Sequence, residues 1–216
     1  MKTRFILVRH GESRANLENR FAGQIDVPLT DTGRKQAVCT GEYLKNEKID
    51  VFFSSELSRA YETACIVAKH HNKPVTKVKG LNEINGGEWE NKLYPEIQKY
   101  FPDNYNVWNT TIGLTQCNGG ENVLEVQQRV CSAIEKIAKE NAGKTVFIGF
   151  HGMALRTFIC KILNVPLDEM HAKTVWASNA SVTYVDYEND TFTLVEHSFD
   201  QHLLDKGLRT ALNLKA

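Results

Sequence analysis

The sequence lacks net charge, and this limits the partners that we expect for it. Among its 216 residues, 26 Lys and Arg balance 26 Asp and Glu, and the isoelectric point is near 7.0. Proteins that coat nucleic acid or anionic membranes present a broad positive surface, so we expect neither partner. Any local positive field must therefore be produced by the fold.

Signals for export, membrane insertion and cysteine pairing are also missing. The apolar run at residues 5–8 is shorter than a signal-peptide core, and no stretch approaches the length of a membrane span. Its cysteines are odd in number and scattered, without a Cys-x-x-Cys pair: Cys39, Cys65, Cys117, Cys131 and Cys160. This pattern disfavours a disulfide framework or a zinc ribbon and predicts reduced thiols in a cytoplasmic protein.

Apolar and amphipathic segments alternate along most of the chain, without an internal repeat. We predict strands at residues 3–9, 50–54, 145–150, 181–186 and 191–196, with a turn at 188–190 between the last two. We predict helices from Thr30 or Asp31 to about Glu47, and at residues 57–68, 123–137 and 153–163. The alternation predicts an α/β fold, a three-layer sandwich whose mostly parallel central sheet is flanked by helices.

Two regions depart from this alternation. Residues 11–28 contain Gly, Asn, Asp and Pro without periodicity, which predicts a long loop of the kind that carries function. Residues 83–120 mix Gly-Gly pairs, Trp and Pro with short helical patches such as 95–100. We interpret this region as a partly helical cap over the carboxyl edge of the sheet, inserted in a single domain that spans residues 1–216.

Basic side chains and imidazoles occur at the ends of separate predicted strands. Arg9 and His10 follow the first strand, His151 follows the strand at 145–150, and Arg59 opens the helix after the strand at 50–54. Each of them alone is typical of a solvated or hydrogen-bonded loop residue. In a parallel sheet, however, the carboxyl ends of the strands share one edge, where ligands bind. We therefore expect these side chains to converge.

Such a cluster indicates a particular chemistry. Two guanidiniums and two imidazoles repel one another unless a bound anion removes the repulsion, and guanidinium forks match phosphate oxygens. One His can add a cationic donor. The other can be neutral, with one ring nitrogen held by a backbone acceptor and the other free to attack phosphorus. The cluster predicts phosphoryl transfer through a covalent phosphohistidine, without a metal or another cofactor.

Short motifs surround these residues over nearly the whole chain. They are Arg9-His10-Gly11-Glu12-Ser13 with Asn16, residues 21–26 leading to Pro28-Leu29-Thr30, residues 54–64, Leu81-Asn82-Glu83-Ile84 with Gly87-Glu88-Trp89-Glu90, and Gly149-Phe150-His151-Gly152. In this order they resemble the histidine phosphatase superfamily, in its phosphoglycerate-mutase-like branch. The resemblance implies that His10 is the phosphorylated nucleophile, and that Glu83 protonates the leaving alcohol and then activates water. It also implies that the phosphoryl group is bound by Arg9, Arg59 and His151, with Asn16 and backbone amides near Gly23 and Gly152.

Some positions depart from the family's common pattern. Phe150, Asn122 and Met153 differ from the residues frequent there, and because they line or support the pocket they bear on substrate identity more than on chemistry. Residues 165–216 match least. For the segment at 203–214, a mobile flap and a packed helix are both consistent with the sequence.

The nearest rival function is that of a phosphoglycerate mutase, which must hold a second phosphate and a carboxylate. No Lys or Arg occurs between Lys99 and Arg129, where aromatic residues are found instead. The segment around Glu83 looks like that of the phosphatase subgroup. We therefore predict a metal-independent phosphomonoesterase that acts on a small phosphorylated metabolite, with mutase-type transfer as the alternative.

Alternatives of other classes are weaker. A non-catalytic phospholigand-binding protein is disfavoured because both His10 and Glu83 are present. A metal hydrolase is disfavoured because the sequence has no His-Glu-x-x-His motif. The sequence does not decide between a monomer and a homodimer.

Overall fold

A computed structural model describes residues 1–210. Its strands are β1 (Thr3–Arg9), β2 (Val51–Ser54), β3 (Val75–Lys77), β4 (Thr145–Phe150), β5 (Val182–Glu188) and β6 (Thr191–Phe199). They form a six-stranded sheet in the order β3-β2-β4-β1-β5-β6. The pairs within β3-β2-β4-β1 are parallel, whereas β5 pairs antiparallel with both β1 and β6. The predicted mostly parallel sheet is confirmed.

Helices cover both faces of this sheet. The α-helices of the described residues are α1 (Arg14–Glu18), α2 (Asp31–Leu44), α3 (Ser58–Ala68), α4 (Tyr94–Tyr100), α5 (Pro102–Thr110), α6 (Val123–Glu140), α7 (Gly152–Ile162), α8 (Met170–Lys173) and α9 (Gln201–Leu204). The long helices agree with the predicted ones to within a few residues at their ends. Of the two N-cap candidates for α2, the structure selects Thr30, whose hydroxyl accepts the Gly33 N–H.

Strand β1 shows why the molecule has three layers. Its residues 5–8 are fully buried, and their side chains alternate between the two faces of the sheet. Phe5 and Leu7 pack into the core that contains the buried faces of α6 and α7, whereas Ile6 and Val8 pack into the core beside α2 and α3. A central parallel strand that is apolar at every position thus follows from burial on both sides.

Residues 11–28 are not entirely a loop, and this part of the prediction was wrong. They contain α1, which begins at a reciprocal capping box between Ser13 and Asn16. A five-residue helix is too short to show a 3.6-residue periodicity, so only the cap could have revealed it. The short edge strand β3 was missed for the same reason of length.

The region at 83–120 is partly helical, as predicted, with α4, α5 and two short 3₁₀ turns. Its buried aromatic residues Trp89, Tyr105 and Trp108 belong to the core on the α6 and α7 side of the sheet. Trp89 and Trp108 pack edge-on around Phe21 from the loop after α1. This contact fixes the inserted region against the loop that contains Gly23. The division into a single domain with a cap stays a prediction.

The segment predicted at 203–214 is only partly described. Helix α9 contains the buried Leu203, and the chain then runs along α2, where Gln36 Nε2 donates to the Leu208 carbonyl at 2.8 Å. Residues 211–214 lie outside the described residues. Among residues 1–210, no helix combines the length and hydrophobicity required for a membrane span.

The two-sided burial of β1 generates a stability prediction. Ile6→Ala is expected to lower the free energy of unfolding by about 2–5 kcal/mol in urea denaturation, because it opens a cavity between the sheet and the layer of α2 and α3. Val195→Ala on β6, where the residue is 52% exposed, is the control and should change it by less than about 0.5 kcal/mol. Equal effects would contradict the placement of Ile6 in this core.

Candidate active site

The sheet topology brings three strand ends together. His10 follows β1, His151 follows β4 and Ser55 follows β2, and these strands are neighbours in the sheet. The backbone N–H of His10 donates to the Phe150 carbonyl at 2.9 Å. The rings of His10 and His151 lie edge to face, with centroids 5.3 Å apart. The histidines after β1 and β4 therefore converge at one edge of the sheet, as the sequence predicts for parallel strands.

His10 is oriented by its own loop. Its Nδ1 lies 2.7 Å from the Gly11 carbonyl, and since a carbonyl can only accept, Nδ1 carries the hydrogen and Nε2 keeps a lone pair. Burial, reinforced by the charges of Arg59 and Arg9, lowers the pKa of His10 well below its ordinary value. The imidazole is therefore neutral at physiological pH, with an unprotonated Nε2.

Two guanidiniums are buried beside this ring. Arg59 donates to the carbonyls of Ile25 at 3.0 Å and Gly23 at 2.7 Å, and Arg9 donates to the Ala177 carbonyl. Burial lowers the pKa of Arg59 to about 10, although the charge of Glu83 opposes the shift. Arg59 thus stays protonated at neutral pH. Carbonyl dipoles, rather than paired carboxylates, hold most of this positive charge in place.

Several buried donors of this cluster have no protein partner in the described part of the chain. They are Nε of Arg9, Nε of Arg59 and Nδ1 of His151. Ser55 Oγ lies 2.6 Å from His151 Nε2 and also accepts the Leu57 N–H. It can therefore donate its proton to Nε2, which leaves Nδ1–H as the one donor of the neutral His151 ring. Buried polar atoms are nearly always paired, so these donors indicate a site for an anion.

Glu83 faces the cluster from the loop after the 3₁₀ turn Lys79–Leu81. Its Oε1 accepts the N–H groups of Ile84 and Ala154, and its Oε2 accepts that of Met153, each at 3.0 Å. The carboxylate lies at the N-terminus of α7, where the helix dipole favours negative charge. A Cβ added at Gly152, the first residue of α7, would lie 3.1 Å from the Trp176 ring and 3.5 Å from Arg9 Nε, so a glycine leaves this approach open.

The remaining predicted residues complete the wall. Asn16 Oδ1 accepts from the Ser13 N–H and from Asn179 Nδ2, so the Nδ2 amino group of Asn16 is the part of the side chain that can donate to a ligand. Gly23 has φ +52°, and a Cβ there would overlap the Glu90 carboxylate. A cavity of about 100 Å³ is lined by Arg9, His10, Asn16, Gly23, Arg59, Glu83 and Gly152. His151 lies behind them against the His10 ring, and the roles predicted for these residues stay predictions.

Asn179, which lines the cavity, and Ser55, which contacts His151, were not singled out in the sequence. Asn179 Nδ2 donates to the His10 carbonyl at 3.0 Å, but it comes from the segment that matched the family least. Ser55 was inside a quoted motif without an assigned role. The outer wall adds Asn19, Arg20, Phe21, Tyr94, Trp108 and Trp176. Trp108 lies both in this wall and in the buried core of the molecule.

Comparisons with known proteins agree with this geometry. The profile of the "Histidine phosphatase superfamily (branch 1)" matches residues 5–200. This chain belongs to that superfamily. "Phosphoserine phosphatase 1" of Hydrogenobacter thermophilus is 30% identical over 200 residues, covering 93% of this chain and 94% of the relative. "Metal-independent phosphoserine phosphatase" of Arabidopsis thaliana is 32% identical over 208 residues, covering 95% and 85%.

A solved structure shares the fold. YhfR of Bacillus stearothermophilus has a TM-score of 0.89 at 32% identity, covering 93% of this chain and 99% of that protein. Together with the family match, these relatives make the chain a phosphatase of the histidine phosphatase superfamily. The phosphatase class predicted from the sequence is thereby confirmed.

The buried imidazoles link folding stability to pH. Burial, together with the charge of Arg59, also lowers the pKa of His151 well below its ordinary value. Below about pH 6.5 the unfolded chain binds protons at these histidines while the folded chain excludes them. Their contribution to stability is therefore complete above that pH and is lost as the pH falls toward their folded values.

Replacing His10 should make the pH dependence shallower. Between about pH 7 and pH 5, the free energy of unfolding of His10→Gln is expected to fall less steeply than that of the wild type, by up to about 1.4 kcal/mol per pH unit. Urea denaturation in phosphate-free buffer measures this difference, since a bound anion adds a linkage of its own. Parallel pH dependences would contradict a neutral, buried His10.

Proposed function

We propose that this phosphatase hydrolyses monoesters of small phosphorylated metabolites in the cytoplasm, through a phosphohistidine formed on His10 and without a metal. The observation that carries the proposal is the neutral His10, whose Nδ1 is held by Gly11 while unpaired buried donors of Arg9, Arg59 and His151 surround it. Such a site combines a nucleophile with fixed positive groups for the charge on the phosphoryl oxygens.

In the first half-reaction, Arg9, Arg59 and His151 bind the phosphoryl oxygens with the Asn16 amide. The lone pair of His10 Nε2 attacks phosphorus, the P–N bond forms and the P–O bond to the alcohol breaks. The departing oxygen takes a proton from Glu83. General acid catalysis requires that Glu83 carry this proton when the substrate is bound.

In the second half-reaction, Glu83 is again a carboxylate and removes a proton from water. The water oxygen attacks phosphorus, the P–N bond breaks, and the electron pair returns to Nε2 while inorganic phosphate forms. The guanidiniums supply the positive charge that a metal supplies in other phosphatases. The Arabidopsis relative, whose name describes it as metal-independent, supports this part of the proposal.

The outer wall of the cavity bears on the substrate. It is mostly aromatic, and among the described lining residues Arg20 is the cationic side chain besides Arg9 and Arg59. This one further cation, which also pairs with Glu18 at 3.0 Å, suits at most a single carboxylate beyond the phosphate. Because two relatives are named phosphoserine phosphatases, phosphoserine is the first substrate to test.

The rival functions are less well supported by the same wall. A mutase that acts on bisphosphorylated glycerate needs cations for both a second phosphate and a carboxylate, and Arg20 alone does not provide them. A binding protein without catalysis has no need for both a carboxylate and a neutral imidazole in one cavity, and Glu83 and His10 line the same cavity here.

The covalent step generates the main test of the proposed function. His10→Ala is expected to reduce hydrolysis of p-nitrophenyl phosphate by at least about 10³-fold, because the nucleophile is lost. Wild type should keep its activity in excess EDTA and yield an acid-labile radiolabelled phosphoenzyme on rapid quenching. His171→Ala, at an exposed histidine outside the cavity, is the control and should behave as wild type. Loss of activity to EDTA would contradict catalysis by protein cations alone.

The proposed acid is tested by the leaving group. Glu83→Gln should slow phosphoenzyme formation from phosphoserine by about 10²–10⁴-fold, because an alkoxide leaves poorly without a proton. The same step with p-nitrophenyl phosphate should change only a few-fold, since nitrophenolate needs no proton. Rapid-quench measurement isolates this step from the later hydrolysis. Equal losses for the two esters would contradict the proton-donor role.

A further inference from the structure

The segment that carries Glu83 has little regular structure of its own. It lies between the 3₁₀ turns Lys79–Leu81 and Gly87–Trp89, and residues 82–86 belong to neither a helix nor a strand. The carboxyl group must nevertheless stay within hydrogen-bond reach of the first turn of α7. Something outside the segment has to fix its backbone.

Arg129, on the buried side of α6, contacts this backbone directly. Its Nη1 donates to the carbonyl of Asn82 at 2.6 Å and to that of Gly80 at 3.3 Å, and its Nη2 donates to the carbonyl of Glu83 at 2.8 Å. One guanidinium thus binds the carbonyl of Glu83 and two carbonyls of the residues that precede it in the chain. A planar fork with several fixed donors suits this task better than an ammonium.

The guanidinium is in turn held by Glu121. Its Nε and Nη2 lie 2.6 and 2.9 Å from the two carboxylate oxygens, and the side chains are only 23% and 21% exposed. Glu121 Oε2 also accepts the Asn85 N–H at 2.8 Å. The ion pair therefore binds the chain on both sides of Glu83, through carbonyls before it and an amide after it.

A second contact on the same carbonyl links this arrangement to the phosphate side of the cavity. Gln24 Nε2 donates to the Glu83 carbonyl at 2.8 Å, and Gln24 follows Gly23, whose carbonyl binds Arg59. The backbone of Glu83 is thus held from α6 by Arg129 and from the cavity loop by Gln24. The Gln24 contact of the Glu83 carbonyl does not depend on the contact from α6.

We propose that Arg129, together with Glu121, is a positioning residue that sets the location of the Glu83 carboxyl group for proton transfer. Arg129 does not touch the substrate; it acts through the backbone of Glu83, and the inference rests on the proposed function of Glu83. A displacement of about 1 Å at a reacting group costs up to about 10²-fold in rate. The effect must therefore appear in the step that needs the proton and not in phosphate binding.

The variant Arg129→Met tests this. Phosphoenzyme formation from phosphoserine should slow by about 10–100-fold, while the same step with p-nitrophenyl phosphate changes by less than about 3-fold and KM stays within about 3-fold. Arg129→Lys should lie between Met and wild type, because an ammonium cannot bind Glu121 and the carbonyls together. Lys136→Met, at an exposed position of the same helix, is the control and should have no effect.

A double-mutant cycle separates positioning from general stabilisation. In the Glu83→Gln background, Arg129→Met should cost less than about 2-fold, because the group that it positions no longer has a proton to give. Independent effects that multiply, or equal losses for the two esters, would overturn the inference. If Arg129→Met does not fold, Glu121→Gln, which keeps the guanidinium but weakens its anchor, is used in the same cycle with an expected loss of several-fold.

The outcomes also separate this inference from the function on which it rests. A wild-type enzyme without an acid-labile phosphoenzyme would overturn the proposed function and the inference with it. A wild-type phosphoenzyme together with multiplying losses would overturn the inference alone.

Discussion

Burial of positive charge around a neutral imidazole is the constraint on which the rest of the site depends. Arg59 is almost fully buried, and its direct partners are carbonyls of the loop at 23–25 rather than a carboxylate. Desolvation destabilises such an ion, and dipoles compensate only in part. Nitrogens of Arg9, Arg59 and His151 have no hydrogen-bond partner in the described protein, so part of this desolvation cost is left for a bound anion to offset. These unpaired buried donors favour the binding of an anion.

The sheet supplies the rigidity that this arrangement requires. Because β2, β4 and β1 are adjacent and parallel, Ser55, His151 and His10 emerge side by side. A strand that is buried on both faces has few ways to relax, so the distance between the imidazoles is set by the strand spacing rather than by flexible loops. The close approach at Gly152 has the same origin, since α7 begins directly after β4 and a side chain there would meet the Trp176 ring.

What the sequence predicts well is what short-range pattern encodes. Apolar runs identify β1 and β4, and His10 and His151 stand out because each directly follows one of these strands. The contacts of Asn179 with His10, and of Arg129 with Glu83, join residues 169 and 46 positions apart, and no local pattern indicates them. The cluster that the strand ends predict contains guanidiniums and imidazoles but no carboxylate. Glu83 was identified only by the family resemblance. No local pattern could identify it, because its loop has no periodicity and is held in place by distant side chains.

The position of Glu83 bears on the whole catalytic cycle. Among the described residues, the Glu83 carboxylate is the charge that most raises the pKa of Arg9 and of Arg59 against the effect of burial. In the proposed cycle, an incoming phosphate ester takes over that part, so that proton transfer to the carboxyl group would not leave the guanidiniums uncompensated. After phosphate has formed, the Glu83 carboxylate and the product would compete for the same cations, and repulsion between them would favour release. Such coupling of proton transfer to phosphate entry and exit requires a carboxylate at a fixed position, and the contacts of Arg129 and Gln24 hold the backbone of Glu83 from two sides.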